Sequence, residues 1–260
     1  MKLVMKLVMK IALTFDIERD NPNFLNTYYG IRVGLLKILK ILDKYHIKGT
    51  FFCTGNVAEH LPEHIRIIER KGHEIACHGL NHERLTQLNF PKCQKSISEN
   101  KKILENICHN TEILGFRAPY LKPPKFLFQV LTNLGFKYDS SIKAYKDLNR
   151  DQLNVNQIQE FPPSNFSIFF RLPMSYYYLR KRIFEKDVVI LYFHPWEAIN
   201  MNKIIFNQSN LFNIFKNMIF RPDRRVNTGN SFIERISNFI NESKSKNVEF
   251  VVLKQLLKEK

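Results

Sequence analysis

Short apolar runs along this chain end, one after another, in ionisable side chains. KIALTF runs into Asp16 and Glu18, Glu74–Cys77 into His78, and Ile113–Phe116 into Arg117. The run through Tyr138 ends in Asp139, and DVVILYF (Asp187–Phe193) ends in His194. Between these runs lie segments with apolar residues at helical spacing: 31–45, Pro62–Lys71, Pro91–Cys108, Pro124–Leu134 and Ser231–Lys244. Alternation of this kind predicts parallel βαβ units. In a β/α barrel all strand ends of one polarity lie on one face, where active sites sit. The expectation is therefore an α/β fold, a distorted (β/α) barrel, with those side chains gathered at its rim.

The chain has 260 residues, 44% of them hydrophobic, enough for one large domain with a true core and too apolar for a disordered chain. A single domain over 1–260 is expected, with an insertion at about 143–180, where the alternation breaks. That stretch includes Tyr176–Tyr177–Tyr178 and fits either a lid or substrate surface beside the site, or a loop packing its aromatics on the barrel. The net charge of +16, from 40 Lys+Arg against 24 Asp+Glu, fits anionic partners such as an anionic membrane surface or an acidic polymer. It equally fits a solvated basic surface. No nucleic-acid motif accompanies the charge, so no specific nucleic acid is expected. Cys53, Cys77, Cys93 and Cys108 form no CxxC pair and read as reduced, semi-buried thiols. Lysines at 2, 6 and 10 interrupt the apolar residues of MKLVMKLVMK, unlike a secretory leader. The expectation is a cytoplasmic protein, or one peripheral to a membrane.

His78 and His82 in CHGLNHERL are four apart, so on a helical turn both imidazoles could meet one metal ion. Two surface histidines would give the same pattern. A hydrolytic metal site needs a carboxylate as well, and Asp16 and Glu18, two apart on a strand, point to one side. Without a metal, Asp16 would be a helix cap and Glu18 a solvated acid. Arg117, in RAPY, can grip a carboxylate in two-pronged fashion or form a structural ion pair. His194, before Pro195–Trp196–Glu197, can donate a proton near neutral pH or serve as a core histidine bonded to a carbonyl.

The order TFDIE, HGLNH, RAPY, YDSS, FHPWE resembles the five-motif signature of the polysaccharide deacetylases, the NodB-homology or carbohydrate esterase 4 family. The resemblance covers roughly residues 10–200. It implies a distorted (β/α) barrel and one divalent metal ion, zinc as a rule. It further implies His78 and His82 as metal ligands, Asp16 as catalytic base, Arg117 as its tether and His194 as general acid. Asp139 matches a carboxylate that orients the acid histidine, and the Tyr120 backbone N–H is the implied oxyanion donor. Many members carry two adjacent aspartates in the first motif. Here Ile17 takes the second place and Glu18 follows, which resembles an Asp-x-Asp/Glu subgroup. Glu18 is accordingly assigned to the metal and Asp16 to the base, the reverse assignment staying open. HPWE and the later RRVNTGN also look like that subgroup. The implied activity is removal of an N-acetyl group from an amino sugar in a polysaccharide, a glycolipid or a sugar precursor. The alternatives are hydrolysis of a non-sugar C–N bond, such as a cyclic amide or imide, and a non-catalytic basic module that binds an anionic polymer or membrane.

Overall fold

The computed structural model describes residues 8–20, 25, 27–144, 154–155, 157–164, 170–172, 175–208 and 224–257. Its framework is a curled sheet whose strands are β1 (Lys10–Ile17), β2 (Thr50–Cys53), β3 (Glu74–Cys77), β4 (Gly115–Phe116), β5 (Tyr138–Asp139), β6 (Asn154–Val155), β7 (Ile158–Glu160), β8 (Val188–Phe193) and β9 (Glu249–Phe250). Their order is β6-β7-β5-β4-β3-β2-β1-β8, with β9 pairing the start of β1. Every pairing is parallel except β6 with β7. The two ends of the sheet meet where the Ser164 N–H donates to Ile190 O at 2.8 Å. The chain is thus a distorted (β/α) barrel, as the alternation predicts.

Side chains on a strand alternate between faces, and here the alternation sorts core from site. Ile11, Leu13, Phe15 and Ile17 of β1 face outward into the main apolar core under the helices. Ala12 faces inward with Phe52, Ala76, Tyr138, Phe161, Ile190, Val251 and Leu253, which fill the barrel axis. Thr14 and Asp16 continue that inward row toward the C-terminal rim. At the opposite rim the chain's final segment plugs the barrel. The Leu253 N–H donates to Thr50 Oγ1 (3.0 Å) and the Lys254 N–H to Glu74 Oε2 (3.2 Å). Tyr138 donates to the same glutamate at 2.9 Å. With the floor sealed, the open face is the one where strands end.

The helices follow the sequence expectation with local differences. Segment 31–45 divides into a π-helical stretch, Gly30–Leu35, and the α-helix Leu36–Lys44. The expected helices at 62, 91, 124 and 231 are Pro62–Arg70, Phe90–Ile107, Leu127–Asn133 and Asn230–Ser245. The break at 143–180 has a structural meaning. It carries the β6–β7 hairpin, whose second strand rejoins the parallel sheet beside β5, and a helix at Ser175–Ile183. Tyr178 on that helix is 75% exposed. The side chains of Tyr176 and Tyr177, like the duplicated MKLV, lie outside the described residues. All four cysteines are free and buried, and burial pushes the Cys108 thiol up to about 12. No described helix is long and apolar enough to cross a membrane.

Leu253 is fully buried at the barrel floor. Leu253→Ala should therefore cost about 2–5 kcal/mol by large-to-small truncation, read as a lower urea midpoint. Because the floor and the rim are at opposite ends of the strands, the far-ultraviolet dichroism of the folded protein should not change.

Candidate active site

Asp16 and Glu18 lie at the end of β1 and just beyond it, both buried. Glu18 Oε2 is in direct contact with His82 Nε2 and lies 3.7 Å from His78 Nε2. One ligand atom from each of Glu18, His78 and His82 falls within 4.8 Å of the others. The segment joining the two histidines is not a helical turn, in contrast to the expectation from their spacing. Gly79 (φ +77°) and His82 (φ 58°) both adopt the left-handed region, and the chain folds back between them. The result brings the rings to 5.2 Å. Glycine suits the first bend because it carries no Cβ penalty there.

The donor set fits a divalent cation. His78 Nδ1 hydrogen-bonds Arg117 O at 2.8 Å, which fixes the ring with Nε2 facing Glu18. Burial pushes the Glu18 carboxyl up, but attraction from His82 and hydrogen bonds from both histidines outweigh it, so the carboxyl lies well below its usual range. An anionic carboxylate with two imidazoles, sequestered from water, is the chemistry of a zinc-type site with positions left for water and substrate.

Asp16 turns the other way. Its Oδ1 accepts from Arg117 Nη1 at 2.8 Å, and Oδ2 lies 3.9 Å from His194 Nε2. Burial raises its carboxyl, yet the charges of Arg117, His78 and His194 more than compensate, and the group is held below its normal value. Its ionised form is thus the stable one at neutral pH.

His194 follows β8 and faces both carboxylates, with Nε2 3.8 Å from Glu18 Oε1. The carboxylate on its Nδ1 is not Asp139. Glu197 Oε1 lies 3.1 Å from that nitrogen and accepts the His194 backbone N–H at 3.1 Å. Asp139 instead accepts from Ser141 at 2.6 Å and pairs with Glu160 across the β5–β7 boundary. Burial raises both carboxyls, and the charge of Asp139 raises Glu160 further above its ordinary value. Asp139 therefore reaches the site only through the loop it braces: Ser141 also accepts the Ala118 N–H at 2.7 Å, beside Arg117.

Sequence reading did not assign Glu197 a role, although it stood in the FHPWE segment. Its signal was the i,i+3 spacing from His194, which resembles a capping box. Arg171 was missed too; its Nε donates to Glu197 Oε2 at 2.7 Å. Gly30 and Gly34 share one face of the π-helical stretch, where the Pro195–Ala198 turn packs. A Cβ on Gly34 would stand 2.0 Å from Pro195 O, and one on Gly30 would stand 2.6 Å from Trp196 N. Tyr120 has φ 62°, and its ring lies 4.5 Å from that of His82, tilted by 55°.

Comparison with known proteins identifies the family. The polysaccharide deacetylase family profile matches residues 8–138, half of the chain. The chain belongs to the polysaccharide deacetylase family. It is 27% identical over 124 residues to a peptidoglycan deacetylase of Helicobacter pylori, covering 47% of this chain and 42% of that protein. It is 36% identical over 116 residues to a peptidoglycan deacetylase-like protein of Gibberella zeae, covering 44% and 34%. The matched stretch is thus less than half the length of either relative. In fold, a polysaccharide-deacetylase-type crystal structure from Mycobacterium smegmatis superposes with a TM-score of 0.71 at 22% identity, covering 99% of this chain and 91% of that one.

After dialysis the protein should retain about one divalent ion, zinc as tested, per chain, the stoichiometry of a single three-ligand site. The double substitution of His78 and His82 by alanine should empty the site, with an unchanged far-ultraviolet dichroism spectrum. Stoichiometric zinc in that variant would place the metal elsewhere.

Proposed function

We propose that the protein is a metal-dependent hydrolase that removes an N-acyl group, acetyl in the first instance, from an amino sugar. The observation that carries this reading is the convergence, in one buried cleft at the strand ends, of three different devices. These are a carboxylate–imidazole donor set (Glu18, His78, His82), an ionised carboxylate fixed by a guanidinium (Asp16–Arg117) and an imidazole braced by its own carboxylate (His194–Glu197). The peptidoglycan deacetylase relatives support an N-acyl sugar as the substrate class.

A divalent ion held by Glu18, His78 and His82, zinc in this reading, supplies carbonyl polarisation and a water that ionises near pH ~7. The chain's own groups do the rest. Arg117 holds Asp16 Oδ1, leaving Oδ2 to accept a proton from the water that attacks the amide carbon. The new C–O bond converts the carbonyl oxygen to an oxyanion, and the Tyr120 N–H, turned by its left-handed backbone, donates to it. Collapse of that intermediate breaks the C–N bond, and His194 Nε2 delivers a proton to the departing nitrogen. Glu197 stabilises the imidazolium before that transfer. The products are a carboxylate and a free amine. The contacts support this division of roles: Glu18 faces two imidazoles, and Asp16 a guanidinium.

Acetate release from N-acetylated chitooligosaccharides, with metal content measured on the same samples, tests these roles. Asp16→Asn should keep zinc and lose about 10²–10⁴-fold in kcat. Glu18→Gln should lose zinc, because a neutral amide is a poorer ligand, and excess zinc should restore part of the rate. If Asp16→Asn empties the site while Glu18→Gln stays loaded, the two roles are exchanged. Glu197→Gln should keep zinc and lose about tenfold or more in kcat, since the acid then lacks its support. Asp139→Asn should lose less, because its amide oxygen can still accept from Ser141, which braces the Ala118 loop.

A further inference from the structure

The arginines around the cleft fall into two sets. Arg117 and Arg171 are buried and each is paired with a carboxylate, Asp16 and Glu197 respectively. Arg19 and Arg84 are half-buried and exposed, and among the described residues neither lies within ion-pair distance of a carboxylate. Arg84 lies with its guanidinium 4.6 Å from the Tyr120 ring, and that ring is 4.5 Å from His82. On the other side of the cleft the Arg224 guanidinium lies 5.0 Å from the Trp196 ring, which stacks on His194 at 5.3 Å and 28°. Arg19 follows Glu18 directly. Tyr120 and Trp196 thus place Arg84 and Arg224 beside His82 and His194, and chain sequence places Arg19 next to Glu18. Site arginines that serve the fold thus have partners inside the protein, whereas Arg19 and Arg84 present charge at the mouth.

Resting on the deacetylase reading, we propose that the substrate is an N-acyl amino sugar bearing a phosphate or diphosphate ester next to the scissile amide, held by Arg19, Arg84 and Arg224. Guanidinium forks match phosphoryl oxygens in geometry and charge. Three of them at one mouth suit the multiple charges of a phosphate or diphosphate better than the single charge of a carboxylate. The chemistry of the sugar sets the distance. In a 2-acylamino sugar 1-phosphate, the phosphoryl group is attached to the carbon beside the one that carries the amide. An amide seated over Glu18, His78 and His82 therefore leaves its phosphoryl group at the rim, where Tyr120 and Trp196 carry Arg84 and Arg224.

The test compares the zinc-supplemented full chain on N-acetylglucosamine 1-phosphate, uridine-diphosphate N-acetylglucosamine, a polyprenyl-diphosphate N-acetylglucosamine in detergent, and neutral chitotetraose. The first two against the third separate a soluble phosphate source from a lipid-linked one. At least one phosphorylated sugar should exceed chitotetraose by about tenfold or more in kcat/KM, the worth of one charge-assisted contact, and the advantage should shrink as salt rises. Arg84→Gln and Arg19→Gln should each remove about tenfold of that advantage and leave chitotetraose within about twofold. Equal turnover of charged and neutral sugars, or variants that depress both alike, would overturn the proposal while leaving the deacetylase reading intact. If no sugar is deacetylated, binding decides. Trp196 is the sole tryptophan of the chain, so its fluorescence reports occupancy of this mouth. Salt-sensitive quenching by uridine-diphosphate N-acetylglucosamine that Arg84→Gln abolishes would sustain the phosphate site and sink the hydrolytic reading. Absence of quenching would sink the phosphate site.

Discussion

Arg117 has no exposed surface, and its guanidinium crosses the interior of the barrel. Burying such a charge is costly unless its donors are satisfied, and here they are. Nη1 donates to Thr14 Oγ1 and Asp16 Oδ1, Nη2 to Ser140 Oγ and Nε to Ser140 O, all at 2.8–3.0 Å. Its carbon centre lies 4.0 Å from the Phe52 ring. The acceptors are tied onward in turn: Thr14 donates to Leu191 O of β8, and Ser140 to Phe161 O beyond β7. One side chain therefore links β1, β5, β8 and the segment that closes the sheet. Its own carbonyl orients His78. Curvature of the sheet, ionisation of Asp16 and the tautomer of a metal-site histidine depend on the same residue.

This coupling also reaches the seam where the ends of the sheet meet. Among the described residues, Ser164 and Ile190 join β8 to the segment after β7. The Arg117 network spans that seam from within. The floor, sealed by Thr50, Glu74, Tyr138 and the chain's last segment, does the same work at the opposite rim. Apolar residues fill the axis between these two polar layers.

The parts of this architecture that were legible in the sequence are those encoded locally. A strand's two-residue period put Asp16 inward with Ala12 and Thr14, and the apolar runs marked where strands end. Order along the chain, carried by the five motifs, then grouped His78, Arg117 and His194 with it. What the sequence hid depends on backbone bends and on long-range pairing. His78 and His82 meet through two left-handed residues and not through a helical turn, a path that four-residue spacing cannot distinguish. Asp139 is drawn away from His194 because the β6–β7 hairpin delivers Glu160 beside it, and nothing in YDSS announces a partner about twenty residues on. Gly30 and Gly34 read as weak helix formers; only their closeness to Pro195 and Trp196 shows why larger residues would not fit.

In the proposed mechanism, Glu197 in place of Asp139 changes how the acid and the base are supported. Asp16 is anchored inside the barrel, through Arg117, to strands that the whole sheet holds in place. His194 is anchored outside it, through Glu197, to Arg171 and to the Trp196 turn pressed against the π-helical stretch. The two proton-transfer groups thus rest on separate networks that meet only across the cleft, where His194 Nε2 is 3.9 Å from Asp16 Oδ2. Separate anchoring has a physical advantage. A carboxylate and an imidazole that shared one rigid network would lock into an ion pair, and each would lower the other's readiness to exchange a proton. Held apart, Asp16 keeps its position through Arg117 and His194 keeps its orientation through Glu197. Such independence is what a base acting first and an acid acting second require of the scaffold beneath them.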